Sequence, residues 1–287
     1  MLKNLSVYAD LIKYRLSLAV VLSSVAGYFL YNNSFDLHLI FLSCGVFFLA
    51  SGAAVLNQYT ERVSDSIMPR TMNRPIPSKK TGEKSALLIS SVLLFAGSLL
   101  LLLNGIIPFI LGIINLLLYN LIYTYLKKKS VFSIIPGAFV GAIPPLIGYT
   151  TAGGNVSNIN ILVFSGFMFL WQLPHFWLII IKYGKEYQKA GFATLSSYLT
   201  DIQIKYLIFF WVVITTSFFF LSGVFSEAFS KNIIILLSVL NAGFILTFYR
   251  MLFLKKGTKE IRGAFILINS FSIIIMFMII AISLMKG

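Results

Sequence analysis

Long apolar runs separated by short polar connections make up almost the whole chain. Runs of about 17 to 23 residues, the length that crosses a bilayer as a helix, lie near 15–31, 39–59, 85–103, 107–126, 131–150, 159–181, 205–223, 232–249 and 263–284. The pattern predicts nine transmembrane helices and no strands. It describes an all-α polytopic membrane protein in which residues 1–287 form a single membrane-embedded domain. The opening MLKNLSVYADLIKYR runs straight into the first span without a small-residue cleavage site, so no cleaved signal peptide is expected.

Composition agrees with the pattern: 58% of the 287 residues are hydrophobic and 11% charged, against about 25% charged in soluble domains. The net charge of +14 raises the question of nucleic acid, and the placement of the charges answers it. When alternate connections are compared, all of the 23 Lys and Arg except Lys231 and Lys286 fall on one side. That is the positive-inside signature of membrane topology and predicts a cytoplasmic N-terminus. The connections on the other side are short, and His38 in the first of them reads as interfacial. The single Cys44, in an apolar run, reads as a packing residue.

Against this hydrocarbon background one stretch stands out, NQYTERVSDSIMPRTMNRPIP, from Asn57 to Pro77. Asn57, Glu61 and Asp65 recur every fourth residue and so lie along one helical face. Arg70 and Arg74 follow at the same spacing and run into the stiff segment Arg74-Pro75-Ile76-Pro77. Oxygen ligands beside arginine forks suit a divalent cation bound to a phosphate ester: Mg²⁺ takes one or two carboxylates plus substrate phosphates, and guanidinium matches phosphate oxygens in pairs.

Three further clusters fall on the same side of the membrane. Lys182 and Glu186, four apart, are either a surface ion pair or a second metal or diphosphate arm. His175, in Pro174-His175-Phe176-Trp177, is either a hydrogen-bonded core residue or a ligand or acid/base group. Asn120, Tyr123 and Lys127 share a face ahead of Lys128 and Lys129, a run that serves as topology anchor or phosphate contact. Lys13 and Arg15 either reach this side's site or anchor the first span. Pro144-Pro145, among small residues from Pro136 to Gly148, predict a broken or kinked span.

Taken together these motifs resemble the UbiA superfamily of intramembrane prenyltransferases, in its haem-farnesylating branch. The likeness rests on Asn57-xxx-Glu61-xxx-Asp65, Arg70-Thr71-xx-Arg74-Pro75-Ile76-Pro77, Gly141-Ala142-Ile143-Pro144-Pro145-Leu146-Ile147-Gly148, Trp171-Gln172-Leu173-Pro174-His175-Phe176-Trp177 and Glu186-Tyr187, and covers the first six spans. Glu61 and Glu186 stand where Asp is usual, each one methylene longer, and Lys13-Tyr14-Arg15 replaces Lys-Pro-Arg. The resemblance implies transfer of a farnesyl group from farnesyl diphosphate to a vinyl group of haem B with addition of water, giving haem O and diphosphate. It implies Mg²⁺, with Mn²⁺ as substitute, on Asn57, Glu61, Asp65 and Glu186; diphosphate contacts from Arg70, Arg74, Lys127, Lys182 and Tyr123; and a role for His175 at the haem iron or in proton transfer. Haem A synthase or a terminal oxidase would be pathway partners, and the cell's inner (plasma) membrane the location. A sister enzyme acting on an aromatic acid or quinone precursor would share the metal site, and a transporter without chemistry would place its polar residues nearer mid-membrane.

Overall fold

A computed structural model describes residues 2–225, 231–254 and 257–285. The connection expected at 222–231 falls partly outside the described residues, and Lys255, Lys256 and Lys286 lie wholly outside them. Among the described residues every regular element is helical. The chain runs α1 (Leu2–Leu11), α2 (Tyr14–Phe29), α3 (Leu37–Thr60), α4 (Arg62–Ile67), α5 (Glu83–Leu103) and α6 (Ile106–Leu117). A π-helical turn (Leu118–Tyr123) then leads through α7 (Thr124–Leu126) to α8 (Ile134–Thr151), α9 (Ile159–Lys189), α10 (Asp201–Phe225), α11 (Lys231–Tyr249) and α12 (Thr258–Leu284).

Seven of these helical stretches are long and apolar enough to cross a membrane. The first expected span corresponds to the shorter apolar helix Tyr14–Phe29, and the eighth, 232–249, falls on α11 (Lys231–Tyr249). At 1.5 Å per residue the 16 residues of α2 reach about 24 Å, less than a full hydrocarbon thickness. The lipid-facing surface is plain on α5. Leu88, Val92, Phe95 and Leu99, spaced as one helical stripe, are exposed, Phe95 by 73%, while Ala86, Ser90, Gly97 and Leu101 on the opposite stripe are buried against α3. A helix apolar on both faces is stable only where one of them meets lipid.

The bundle closes on itself: α2 packs on α3 and α8, α8 on α9, α9 on α10 and α12, and α12 returns to α2. The tightest crossing is that of α2 with α8. A Cβ added at Gly148 would sit 1.8 Å from the Ser24 carbonyl oxygen, and one at Gly27 would sit 2.1 Å from that of Pro145. Small residues are what let the two backbones touch. Gly148→Ala is expected to lower stability by about 3 kcal/mol, the upper end of ordinary overpacking, read as a fall in the thermal midpoint of the detergent-purified protein.

Here the structure departs from the proline expectation. α8 continues unbroken through Pro144 and Pro145, because both rings are buried and the Pro145 backbone is wedged against Gly27. Tertiary contact holds a helix that local chemistry would open. At the membrane face reached by the 30–37 turn, Asp36 caps α3 through Leu39 N at 3.0 Å and accepts from Tyr28 Oη at 2.6 Å. Burial works to raise the Asp36 carboxyl, but these donors outweigh it and hold its pKa below the usual range. His38 stays at this end, bonded to Asn104.

Candidate active site

The opposite face, where α3 ends, gathers the acids and their cations. α3 gives way to α4 at Glu61, whose φ of −96° and ψ of 4° mark a tightened turn. Glu61 N still donates to Asn57 O at 2.9 Å, and Asp65 N to Glu61 O at 2.7 Å. The four-residue register therefore survives the break, and Asn57, Glu61 and Asp65 remain on one side of the chain. All three are buried, at 2%, 3% and 0% exposure, so each requires a polar partner.

Every one has a cation at hand. Lys13 Nζ donates to Asn57 Oδ1 at 3.1 Å, Lys127 pairs with Glu61, and Arg74 Nη1 meets Asp65 Oδ2 at 2.6 Å. Lys13 thus extends into this cluster, whereas the Arg15 guanidinium bonds the Tyr14 hydroxyl. Lys13 sits in the left-handed region at the α1–α2 corner, φ 47°. That corner is held by Gln58, which donates to the carbonyls of Asp10 and Leu11. Burial, and after it the neighbouring Arg74 guanidinium, push the Lys13 ammonium down to about 7, against the pull of Glu61 and Asp65. Asn57 Nδ2 donates to Thr124 Oγ1 at 3.1 Å, and Thr124 in turn bonds Tyr119 O, five residues back across the π-turn. Thr124 carried no sequence signal, because the π-turn that aims it is invisible in hydropathy.

The arm from α9 joins from the side. Arg70 donates to the Tyr187 hydroxyl and lies over the rings of Tyr183 and Tyr187, at 4.9 and 5.4 Å from their centroids. Met68 packs with Ala190 and Phe192. Ala193 N donates to Lys127 O at 3.1 Å, and the Lys127 ammonium lies 5.1 Å from the Phe192 ring and 5.2 Å from that of Tyr123. Segments 57–77, 119–127 and 183–193 thus converge. Among the described residues no ion pair joins Lys182 to Glu186; Lys182 is exposed, its ammonium 4.9 Å from the Tyr183 ring over which Arg70 also lies. Asn120 is buried with its Oδ1 unbonded.

Whether these residues suit a divalent cation can be judged from the oxygens left over. Asp65 Oδ1 and Glu186 Oε2 are both buried and without a hydrogen-bond partner. Unbonded buried carboxylate oxygens are costly unless a cation meets them, and an all-oxygen set is what Mg²⁺ prefers. Among the described residues, however, Glu61, Asp65 and Glu186 do not form a ready-made three-acid cluster. Like charges in a buried site repel, and here Lys127 pairs with Glu61 and Arg74 with Asp65.

Two spaces adjoin the clasp. On the water side a cleft of about 890 Å³ is lined by Asp10, Lys13, Arg15, Arg70, Arg74 and Pro75. Deeper, one turn before Asn57, a cavity of about 80 Å³ is walled by Val20, Val46, Ala50, Ala53, Ala54 and Pro144. A cationic mouth over an apolar pocket suits an amphiphile with an anionic head and a hydrocarbon tail. Beyond it His175 Nδ1 lies 3.0 Å from Asn269 Oδ1 on α12. Asn269 was not singled out in the sequence, although a lone amide in the apolar run 263–284 is a signal of intramembrane function.

The class of protein follows from these features and from its relatives: residues 20–279 match the family model described as the UbiA prenyltransferase family, and the chain belongs to that family. The particular kinship is with haem-modifying members. The chain is 36% identical over 184 residues to "Protoheme IX farnesyltransferase" of Geobacter sulfurreducens, covering 63% of this chain and 68% of that protein. It is 39% identical over 197 residues to the Bdellovibrio bacteriovorus protein of the same name, covering 67% of each. Solved structures share the fold at lower identity. A structure described as digeranylgeranylglyceryl phosphate synthase superposes with TM-score 0.76 at 21% identity, over 98% of this chain and 99% of that one. A UbiA homolog from Archaeoglobus fulgidus bound to DMAPP and Mg²⁺ does so with TM-score 0.72 at 14% identity, over 96% and 99%.

Proposed function

We propose that the chain is an intramembrane prenyltransferase, one domain throughout, that joins the farnesyl group of farnesyl diphosphate to a vinyl group of haem B. Water adds in the process, giving haem O and diphosphate. The observation that carries the reaction class is the convergence of buried Asn57, Glu61 and Asp65 with Lys127, Arg74 and Arg70, between a cationic mouth and an apolar pocket. The choice of haem as acceptor is supported by the names of the Geobacter and Bdellovibrio relatives.

Asn57, Glu61 and Asp65, with Glu186, are the residues that would hold Mg²⁺ or Mn²⁺, which when bound neutralises charge building on the departing diphosphate. Arg70, Arg74 and Lys127 bind diphosphate oxygens directly. Each now rests on a group it can leave, Arg70 on Tyr187, Arg74 on Asp65 and Lys127 on Glu61. Tyr123, beside Lys127 and stacked with Tyr119 at 5.9 Å, offers a phenol to the diphosphate and a ring face to an allylic cation. Lys182, exposed on the rim, steers the anion by its charge. The hydrocarbon begins in the apolar pocket and continues between helices toward lipid. Burial of the clasp keeps water from the cation until the haem vinyl attacks it.

The one-sided Lys and Arg distribution supports a cytoplasmic N-terminus and site in the cell's inner membrane. Haem A synthase and terminal oxidases are partners by pathway. Arg70→Lys keeps the charge but removes both the paired fork and the stacking on Tyr183 and Tyr187. Its KM for farnesyl diphosphate is expected to rise about tenfold, with kcat little changed, in steady-state assays.

The reading is tested by offering purified protein farnesyl diphosphate and Mg²⁺ with either haem B or 4-hydroxybenzoate. Prenylated haem alone supports it. A prenylated aromatic acid with untouched haem assigns the sister activity instead.

A further inference from the structure

The water-side cleft is larger and more cationic than a diphosphate head requires. Its volume of about 890 Å³ matches sites that enclose a whole small-molecule ligand, about 300 to 1,000 Å³. Lys13, Arg15, Arg70 and Arg74 line it against one acid, Asp10. Three of those cations are engaged at the clasp, Lys13 with Asn57, Arg74 with Asp65 and Arg70 with Tyr187. Arg15 is not. Among the described residues it joins no ion pair. Its Nε donates to the Tyr14 hydroxyl at 2.9 Å, and the guanidinium carbon lies 5.6 Å from the centroid of that ring.

That bond decides which edge of the guanidinium is available. With Nε taken, the Nη1 and Nη2 pair remains, and this fork matches the two oxygens of a carboxylate through parallel bonds. An arginine that only anchored the first span would follow lipid headgroups outward on its flexible stem. Arg15 is instead tethered at the cleft, and Tyr14 stands where the family pattern has Pro, so the tether belongs to this chain. Ala9, Leu16, Pro75 and Tyr14 give the cleft apolar wall. Leu16 also lines the deeper apolar pocket, so the two spaces adjoin across one side chain. A cleft with apolar wall, inner cations held at the clasp and one uncommitted fork suits a flat apolar ligand that carries a carboxylate.

Resting on the reading of the chain as a haem farnesyltransferase, we propose that the Arg15 fork is the carboxylate site of the acceptor and takes a propionate of haem B, with Tyr14 as the residue that positions it. Propionates and vinyl groups lie on opposite edges of the porphyrin. A propionate held at Arg15 therefore turns the vinyl edge inward, toward Lys13, Arg74 and the clasp, where the allylic carbon is released. The diphosphate, with its higher charge, is drawn past Arg15 to the cations grouped around Glu61 and Asp65.

The test compares haem B with its dimethyl ester, in which both propionates are masked, as acceptors for the full-length protein in detergent with farnesyl diphosphate and Mg²⁺. In wild type the ester is expected to show a KM about tenfold above that of haem B, the value of one charge-assisted contact. Arg15→Gln is expected to raise the KM for haem B to that of the ester, leaving the KM for the ester and for farnesyl diphosphate unchanged. Arg15→Lys, which keeps the charge and loses the fork, is expected to recover part of the difference. Tyr14→Phe is expected to raise the KM for haem B about threefold and that for the ester not at all, a selectivity that a merely structural role would not give. An Arg15→Gln protein that still prefers haem B to the ester as wild type does overturns the assignment and leaves the proposed function standing. So does one in which both KM values rise alike and fall again on adding anionic lipid, which assigns Arg15 to a headgroup phosphate. A folded wild type that farnesylates neither acceptor overturns the proposed function itself.

Discussion

Asp65→Ala is expected to reduce prenyl transfer by about 10³-fold or more, because it removes a buried carboxylate whose Oδ1 is unbonded and whose Oδ2 holds Arg74. Two losses coincide in it. One is a ligand oxygen for the divalent cation; the other is the partner that keeps Arg74 aimed into the site. Asp65 is fully buried and Arg74 is 27% exposed at its side chain, so breaking the pair also costs stability. The full penalty for a buried ion is discounted by that exposure to about 2 kcal/mol. Asp65→Asn separates the effects: it retains an acceptor for Arg74 and the side-chain volume while losing the charge. If activity falls as far in Asp65→Asn as in Asp65→Ala while the thermal midpoint recovers, the carboxylate acts through charge. Near-normal turnover in Asp65→Asn contradicts a metal role for this residue.

Lys127→Met carries the second large effect, an expected drop of about 10²-fold in kcat/KM for the prenyl diphosphate. Lys127 is the hinge of the clasp. Its ammonium pairs with Glu61 and sits over Tyr123 and Phe192, and its carbonyl accepts from Ala193 N. Methionine keeps the length and the backbone contact but leaves the Glu61 carboxylate, 4% exposed, without its cation. The mutant protein should therefore bind Mg²⁺ at least as well as wild type, and diphosphate less well. Calorimetric titration with each in turn distinguishes this from general unfolding, which would weaken both.

How far the sequence exposes this arrangement depends on the range of the interaction. Helix positions are legible because lipid demands a continuous apolar run wherever backbone is buried in hydrocarbon, and the stripe Leu88, Val92, Phe95, Leu99 is the direct trace of that demand. The Asn57, Glu61, Asp65 spacing is legible because it is local and helical. The pairing of those residues is not. Arg74 reaches Asp65 across a turn, Lys127 reaches Glu61 from a different helix, and Lys13 comes from before the first span. Only the packing of α2, α3 and the π-turn decides those partners. The same holds for Pro144 and Pro145, where contact with Gly27 overrides the local tendency to break. Span count is the least local quantity. α2 is apolar but only 16 residues long, and hydropathy alone counts it with the full-length spans.

The most direct measurement is mass spectrometry of haem extracted after incubation of the purified protein with haem B, farnesyl diphosphate and Mg²⁺ in ¹⁸O-labelled water. The account predicts a haem heavier by one farnesyl group and one hydroxyl, its new hydroxyl oxygen labelled from solvent and its yield abolished in Asp65→Ala. Haem of unchanged mass, with diphosphate released on another acceptor, contradicts it.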